Sequence, residues 1–269
     1  MSAPGPGGAS GGDGAGPANA DVTWMLHVGL GAWLLASLGL YLRLDVGLFE
    51  AVLASFLVLT LPVLSVAQVP LIAGTRLNRP DVYAGSAVAL AGLTMACLVV
   101  GALGPGLEAL GLGPLGWTDL GIATLRLGVA SAVLIGAFHL VSEMAGLSES
   151  PILAQLLPRS PTERRLFAGL SVLAGFGEEV VFRGFLLAVL APALGGGWTT
   201  LVVSSLAFGV LHVYQGAFGI LRTAALGALL GTSVILDGTL WPAVIVHILI
   251  DLAGGLVFGP RMVPLPDDG

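Results

Sequence analysis

The chain has 269 residues, of which 56% are hydrophobic and only 10% charged. A soluble domain carries about a quarter charged residues, so this composition excludes a soluble globular protein and indicates a polytopic membrane protein. A formal net charge of −6, with Arg as the only basic residue besides His, speaks against a nucleic-acid partner, and the single cysteine, Cys97, excludes a disulfide framework or a cysteine metal centre.

Residues 1–22 are rich in Gly, Ala and Pro and have no basic stretch ahead of an apolar core. They read as a disordered tail and not as a signal peptide. Apolar runs long enough to span a bilayer as helices follow at roughly 24–42, 48–73, 82–103, 122–141, 166–190, 198–213, 218–236 and 240–258. The sixth is short for a span and is expected to tilt or to re-enter. Pro62 and Pro70 predict a kink or an early end in the second. Trp24, Trp117, Trp198 and Trp241 fall near the starts of runs, where an interfacial aromatic belt would place them. Cys97 reads as a small buried hydrophobe. Arg76, Arg79, Arg159, Arg164 and Arg165 lie in loops that share one side, with Arg43 and Arg126 on the other. The Arg bias makes the first side cytoplasmic and puts both termini there. Ser160-Pro161-Thr162-Glu163 has the form of a capping box that starts the fifth helix near Pro161, and the segment ILAQLL just upstream suits a short interfacial helix. No internal repeat supports an inverted-repeat transporter.

Ionisable residues inside the apolar runs concentrate in the C-terminal half. Glu178, Glu179 and Arg183 fall on the fifth run, His212 on the sixth, Arg222 on the seventh, and His247 and Asp251 on the eighth. A charge at membrane depth costs about 2.5–3.5 kcal/mol on insertion scales, so each needs a partner or a wet cavity. Glu179 and Arg183 are four apart and share a helix face, which makes them an ion pair. Glu178 is turned about 100° away and is left for other work. Phe208 with His212, and His247 with Asp251, repeat the spacing of four. Three helices thus offer one polar stripe each, and the stripes are satisfied if they meet in a shared cavity. A carboxylate beside two imidazoles there could activate water for amide hydrolysis. A set of Glu178, His212 and His247 could instead hold zinc with an open fourth position, or the same residues could work without metal, with His247 donating to an oxyanion. His27 and His139 belong to no such stripe and read as interfacial or packing residues. Arg222 reads as a snorkelling anchor, and Asp237-Gly238 as the turn between the last two helices.

EEVVFR at 178–183, FGVLH at 208–212 and HILID at 247–251 resemble, in order, the three motifs EExxxR, FxxxH and HxxxN/D of the type II CAAX prenyl endopeptidases and their bacterial relatives, the CPBP or Abi intramembrane proteases. The resemblance covers roughly 165–258. It implies that Glu178 activates water, that Glu179 is the structural partner of Arg183, that His212 is a second water-activating or metal-binding group, and that His247 and Asp251 stabilise an oxyanion or bind metal. The prenyl-processing branch usually carries Asn where this chain has Asp251. Asn can donate a hydrogen bond and an ionised Asp cannot, so Asp251 orients His247, is protonated, or binds a metal.

The expectation is therefore an all-α membrane protein, a polytopic bundle of about eight transmembrane helices with the active site in the C-terminal half. Residues 23–145 form N-terminal transmembrane helices, 146–259 a CPBP-like catalytic core and 260–269 a short tail. The expected activity is an intramembrane endopeptidase, cutting near the C-terminus or membrane tether of a membrane-associated protein or peptide in a bacterial inner membrane. A non-catalytic scaffold of the same family and a proton-coupled transporter are the alternatives.

Overall fold

A computed structural model describes residues 17–43 and 46–259. The expected tails at 1–16 and 260–269 lie outside the described residues. Residues 17–22 are not part of a tail: the first helix, α1, runs Pro17–Arg43, opened by a proline whose fixed φ suits the first helical position. After it come α2 (Leu48–Ser55), a π-helical segment (Phe56–Thr60) and α3 (Leu61–Ile72), then α4 (Arg79–Leu103) and α5 (Trp117–Ala145). A short α6 (Pro151–Leu156) precedes α7 (Pro161–Glu178), a second π segment (Glu179–Phe185) and α8 (Leu186–Leu194). The chain closes with α9 (Gly197–Leu211), a 3-10 turn (Val213–Gln215), α10 (Gly216–Asp237), α11 (Trp241–Ala253) and a last π segment (Gly254–Phe258).

Among the described residues there are no strands, and six helices are long and apolar enough to cross a membrane: 23–42, 48–72, 79–103, 117–145, 213–237 and 241–258. The expected count of about eight is thus met by six. The fifth run carries Glu178, Glu179 and Arg183 at its middle and is divided by the π segment. The sixth, α9, has 15 residues, about 22 Å at 1.5 Å per residue, against a hydrocarbon core of about 30 Å. In the second run, Pro62 has no N–H to return to the preceding turn, and the segment just before it is wound as π-helix.

Small residues set the helix contacts, as they must where lipid gives no hydrophobic drive between helices. A Cβ on Gly209 of α9 would lie 2.7 Å from the Ala224 Cβ and from the Ile220 carbonyl oxygen of α10. One on Gly177 of α7 would lie 3.1 Å from Leu90 of α4, and one on Gly175 would lie 2.9 Å from the Ile248 backbone nitrogen of α11. The buried cluster around Val180, Val181, Phe182, Phe185 and Leu186 sits at the centre of the bundle. Large apolar side chains such as Leu35, Phe49, Val88, Leu125 and Met144 are exposed on its outside, the distribution a lipid-facing surface requires.

The loop between α3 and α4 and the segment 146–160 lie on one side, joined by the Arg79 guanidinium, which donates to the Gln155 carbonyl (2.7 Å) and pairs with Glu163 (3.6 Å). The Tyr83 hydroxyl donates to the Leu156 carbonyl at 2.6 Å, so α6 is tied down across the start of α4. At the opposite end, Arg126 pairs with Asp237 at the foot of α10, and Gly238 takes φ 69°, a left-handed turn conformation that favours glycine. The expected capping box is present: the Glu163 N–H donates to Ser160 Oγ, and the Glu163 carboxylate accepts from the Ser160 and Arg159 N–H groups. Cys97 is buried, as its apolar run predicted.

Candidate active site

The site is built where α7, α9 and α11 converge. The Gly175–Ile248 approach presses α7 onto α11 one turn from Glu178 and next to His247. Ser204 of α9 donates to the Phe182 carbonyl at 2.6 Å. That carbonyl lies in the π segment, whose wider winding disturbs the α-helical hydrogen-bond ladder. Ser65 of α3 donates to the Leu211 carbonyl at 2.9 Å, one of the orphan acceptors at the end of α9. The N-terminal half therefore fixes the turn that carries His212.

Glu179 and Arg183 are both fully buried and pair at 3.0 Å. The Arg183 Nε also donates to the Gly227 carbonyl at 3.3 Å, and its guanidinium carbon lies 4.0 Å from the Phe208 ring centroid, a stacking that offsets part of its desolvation. The expected pair is thus present, with one partner the sequence did not reveal. His247 Nδ1 lies 2.7 Å from the same Glu179 oxygen. With that carboxylate ionised opposite Arg183, Nδ1–H donates and Nε2 faces the other way. Nε2 is 3.6 Å from Glu178 and 3.8 Å from Asp251. Glu178 and Asp251 keep 22% and 32% of their side-chain surface accessible, against 0% for Glu179. The two adjacent glutamates are therefore separated: one is sealed into a structural triad with Arg183 and His247, and the other opens onto a reachable space.

His212 Nδ1 donates to the Phe208 carbonyl at 2.9 Å, which leaves Nε2 with its lone pair. Phe208 lies between the imidazoles, with centroids 4.7 Å from His212 and 6.2 Å from His247. It packs against both rings and against Arg183, as a supporting residue. Glu178, His247 and Asp251 thus come into direct proximity, and His212 shares with His247 a contact to the Phe208 ring. His27 and His139 are exposed and remote from this group.

Arg222 is not a free snorkelling anchor. It forms a two-point ion pair with Glu149, at 2.6 and 3.3 Å, and donates to Gln215 Oε1 at 3.1 Å. The reason is that α10 begins at Gly216, where the segment ahead of α6 passes. Gln215 Nε2 in turn donates to the Tyr214 hydroxyl at 3.2 Å, and the Tyr214 ring lies 5.8 Å from His212. Tyr214 and Gln215 lie two and three residues after the second motif, and that closeness was the available signal. Glu149, 73 positions from Arg222, gave none.

Among the described residues no group of three or more His, Cys, Asp and Glu is arranged to hold a metal ion. The expected set of Glu178, His212 and His247 is therefore not gathered into such a group.

Residues 161–253 match the family model described as Type II CAAX prenyl endopeptidase Rce1-like. No curated protein and no solved structure matches the chain. The match spans all three motifs; the apolar helices indicate a multi-pass membrane protein, and its segment 161–253 is similar to the type II CAAX prenyl endopeptidases.

Proposed function

We propose that the chain is an intramembrane endopeptidase that hydrolyses a peptide bond near the C-terminus or membrane tether of a membrane-associated protein or peptide. The carrying observation is the division of labour between neighbouring glutamates: Glu179 is consumed by Arg183 and His247, whereas Glu178 stands 3.6 Å from His247 Nε2 with an accessible carboxylate. The Rce1-like match over 161–253 supports the reaction class.

In this reading Glu178 takes a proton from water, aided by the lone pair on His212 Nε2, and the water oxygen attacks the scissile carbonyl carbon. The carbonyl oxygen becomes an oxyanion, to which His247 donates when Nε2 carries a proton. The C–N bond then breaks, and Glu178 returns the proton to the leaving amine. Glu179 fixes the orientation of the His247 ring, and Arg183 keeps Glu179 ionised. Asp251, 3.8 Å from His247 Nε2, orients or charge-balances that imidazole, which suits Asp where a bare oxyanion donor would need Asn. No step is routed through zinc. The arginine-rich side, with Arg79, Arg159 and Arg164, faces the cytoplasm, which makes the substrate a cytoplasmically presented, lipid-tethered chain in the cell membrane.

The test is cleavage of a membrane-tethered peptide by purified protein in liposomes, comparing wild type with Glu178→Gln and His212→Ala at matched folded fractions. Both variants are expected to lose nearly all turnover. Full activity in Glu178→Gln refutes Glu178 as the group that activates water, and absence of cleavage by the wild type leaves a binding scaffold as the better account.

A further inference from the structure

Beside His212 stands a phenol that the mechanism above does not use. The direction of its proton can be worked out from the groups behind it. The Glu149 carboxylate, ionised in its pair with Arg222, only accepts, and a guanidinium only donates. Arg222 bonds both Glu149 oxygens and Gln215 Oε1. The Gln215 amide is thereby fixed with its oxygen toward Arg222 and its NH2 toward Tyr214, where Nε2 donates at 3.2 Å. The Tyr214 oxygen is an acceptor in that bond, so its own O–H is left to donate elsewhere. The ring is half-buried, 5.8 Å from the His212 ring and tilted by 37° against it.

We infer that Tyr214 is a further catalytic residue, donating its O–H to the scissile carbonyl oxygen as that oxygen becomes an oxyanion, with the Glu149–Arg222–Gln215 chain holding the proton pointed at the substrate. The inference rests on the endopeptidase reading and deepens it. Gln215 and Arg222 are positioning residues: they touch no substrate and act through the direction of one hydroxyl. A second donor beside His247 fits a site in which Asp251 replaces the amide of Asn. Substrate without a carbonyl oxygen at the cleaved position would gain nothing from Tyr214, so its contribution belongs to turnover and not to binding.

Two substitutions separate this from a packing role. Tyr214→Phe keeps the ring and removes the proton, and kcat is expected to fall about 100-fold, the scale of losing one oxyanion donor, with KM little changed. Gln215→Glu keeps the shape and strengthens the contact to Arg222, but its free carboxylate oxygen accepts from Tyr214 and turns the hydroxyl away from the site. It is expected to reproduce the Tyr214→Phe loss, and the double variant to be no worse than either single one. A structural role for Tyr214 predicts an active Gln215→Glu. A kcat loss below about tenfold in either variant, or additive losses in the double variant, overturns the inference. Glu178→Gln run in parallel distinguishes the two failures. If it is inactive while Tyr214→Phe is active, only this inference falls. If it is active, the Glu178-based reading of the cleavage falls, and this inference with it.

Discussion

Replacing Glu179 by Ala should unfold the protein far more readily than replacing Glu178 by Gln, although the two residues are adjacent. Arg183 is fully buried, and its ionic partner is Glu179 at 3.0 Å. Its remaining support is one backbone carbonyl at 3.3 Å and the face of Phe208. Removing one partner of a buried ion pair leaves an uncompensated charge and costs about 3–5 kcal/mol. His247 loses its Nδ1 acceptor in the same step, which adds about 1–3 kcal/mol for an unsatisfied buried donor. The total, about 4–8 kcal/mol, is comparable to the whole stability of many domains. Glu178 is partly accessible and makes no contact as short as the Glu179 pairs, so Glu178→Gln is expected to change stability by less than about 1 kcal/mol. The assay is reversible unfolding in mixed micelles at increasing denaturing-detergent fraction, read by circular dichroism. A Glu179→Ala loss under about 1 kcal/mol, or a Glu178→Gln loss as large as that of Glu179→Ala, would refute the division between the two carboxylates.

Gly227→Ala is expected to cost about 1–3 kcal/mol, the range for overpacking, because the new methyl would collide with the Arg183 guanidinium and come within 3.1 Å of Phe208. Thermal inactivation should register it, and an unchanged midpoint would show that Arg183 has room to move. At the start of α7, the N–H of Ser160, then that of Arg159, hold the Glu163 carboxyl below the usual carboxylate value against the opposing effect of burial, with Arg79 adding to the lowering. A lowered folded-state value stabilises the fold above the ordinary carboxylate pKa of about 4.3 and loses that contribution as pH falls through the lowered value. Glu163→Gln should therefore flatten the acid limb of the stability curve, and an identical limb in both proteins would contradict the cap. If the proposed cleavage runs without metal, exhaustive zinc chelation should leave it unchanged, and a loss restored by zinc alone would show that the side chains close around a metal.

Local spacing made much of the site legible. Glu179 with Arg183 and His247 with Asp251 are contacts within a helix, and four-residue spacing in an apolar run leaves few other ways to satisfy such groups. The capping box and the buried Cys97 were legible for the same reason: each depends on neighbours in the chain. The contact of His247 Nδ1 with Glu179 joins residues 68 apart and needed the close approach at Gly175, which no periodicity encodes. The pairing of Arg222 with Glu149 was hidden likewise, since a loop charge outside the apolar runs gives no hint of which helix end it will reach. The span count was not legible because hydropathy records apolar length and not where a helix stops. In α9 it stops at Leu211, and the three residues after His212 form a 3-10 turn that leads to Gly216.

The π winding at Glu179–Phe185 gives this stretch an unusual response to a change in chain length. A wide turn is in effect one residue spliced into an otherwise regular helix. Losing a single codon there, Val180 for example, would let the segment relax into ordinary α-helix. The spans on either side would keep their register, while the motif residues inside the turn would shift by one position and Glu179 and Arg183 would meet at a spacing of three in place of four. A one-residue deletion in the regular part of α7 has no such outlet and would turn one flank by about 100° against the other.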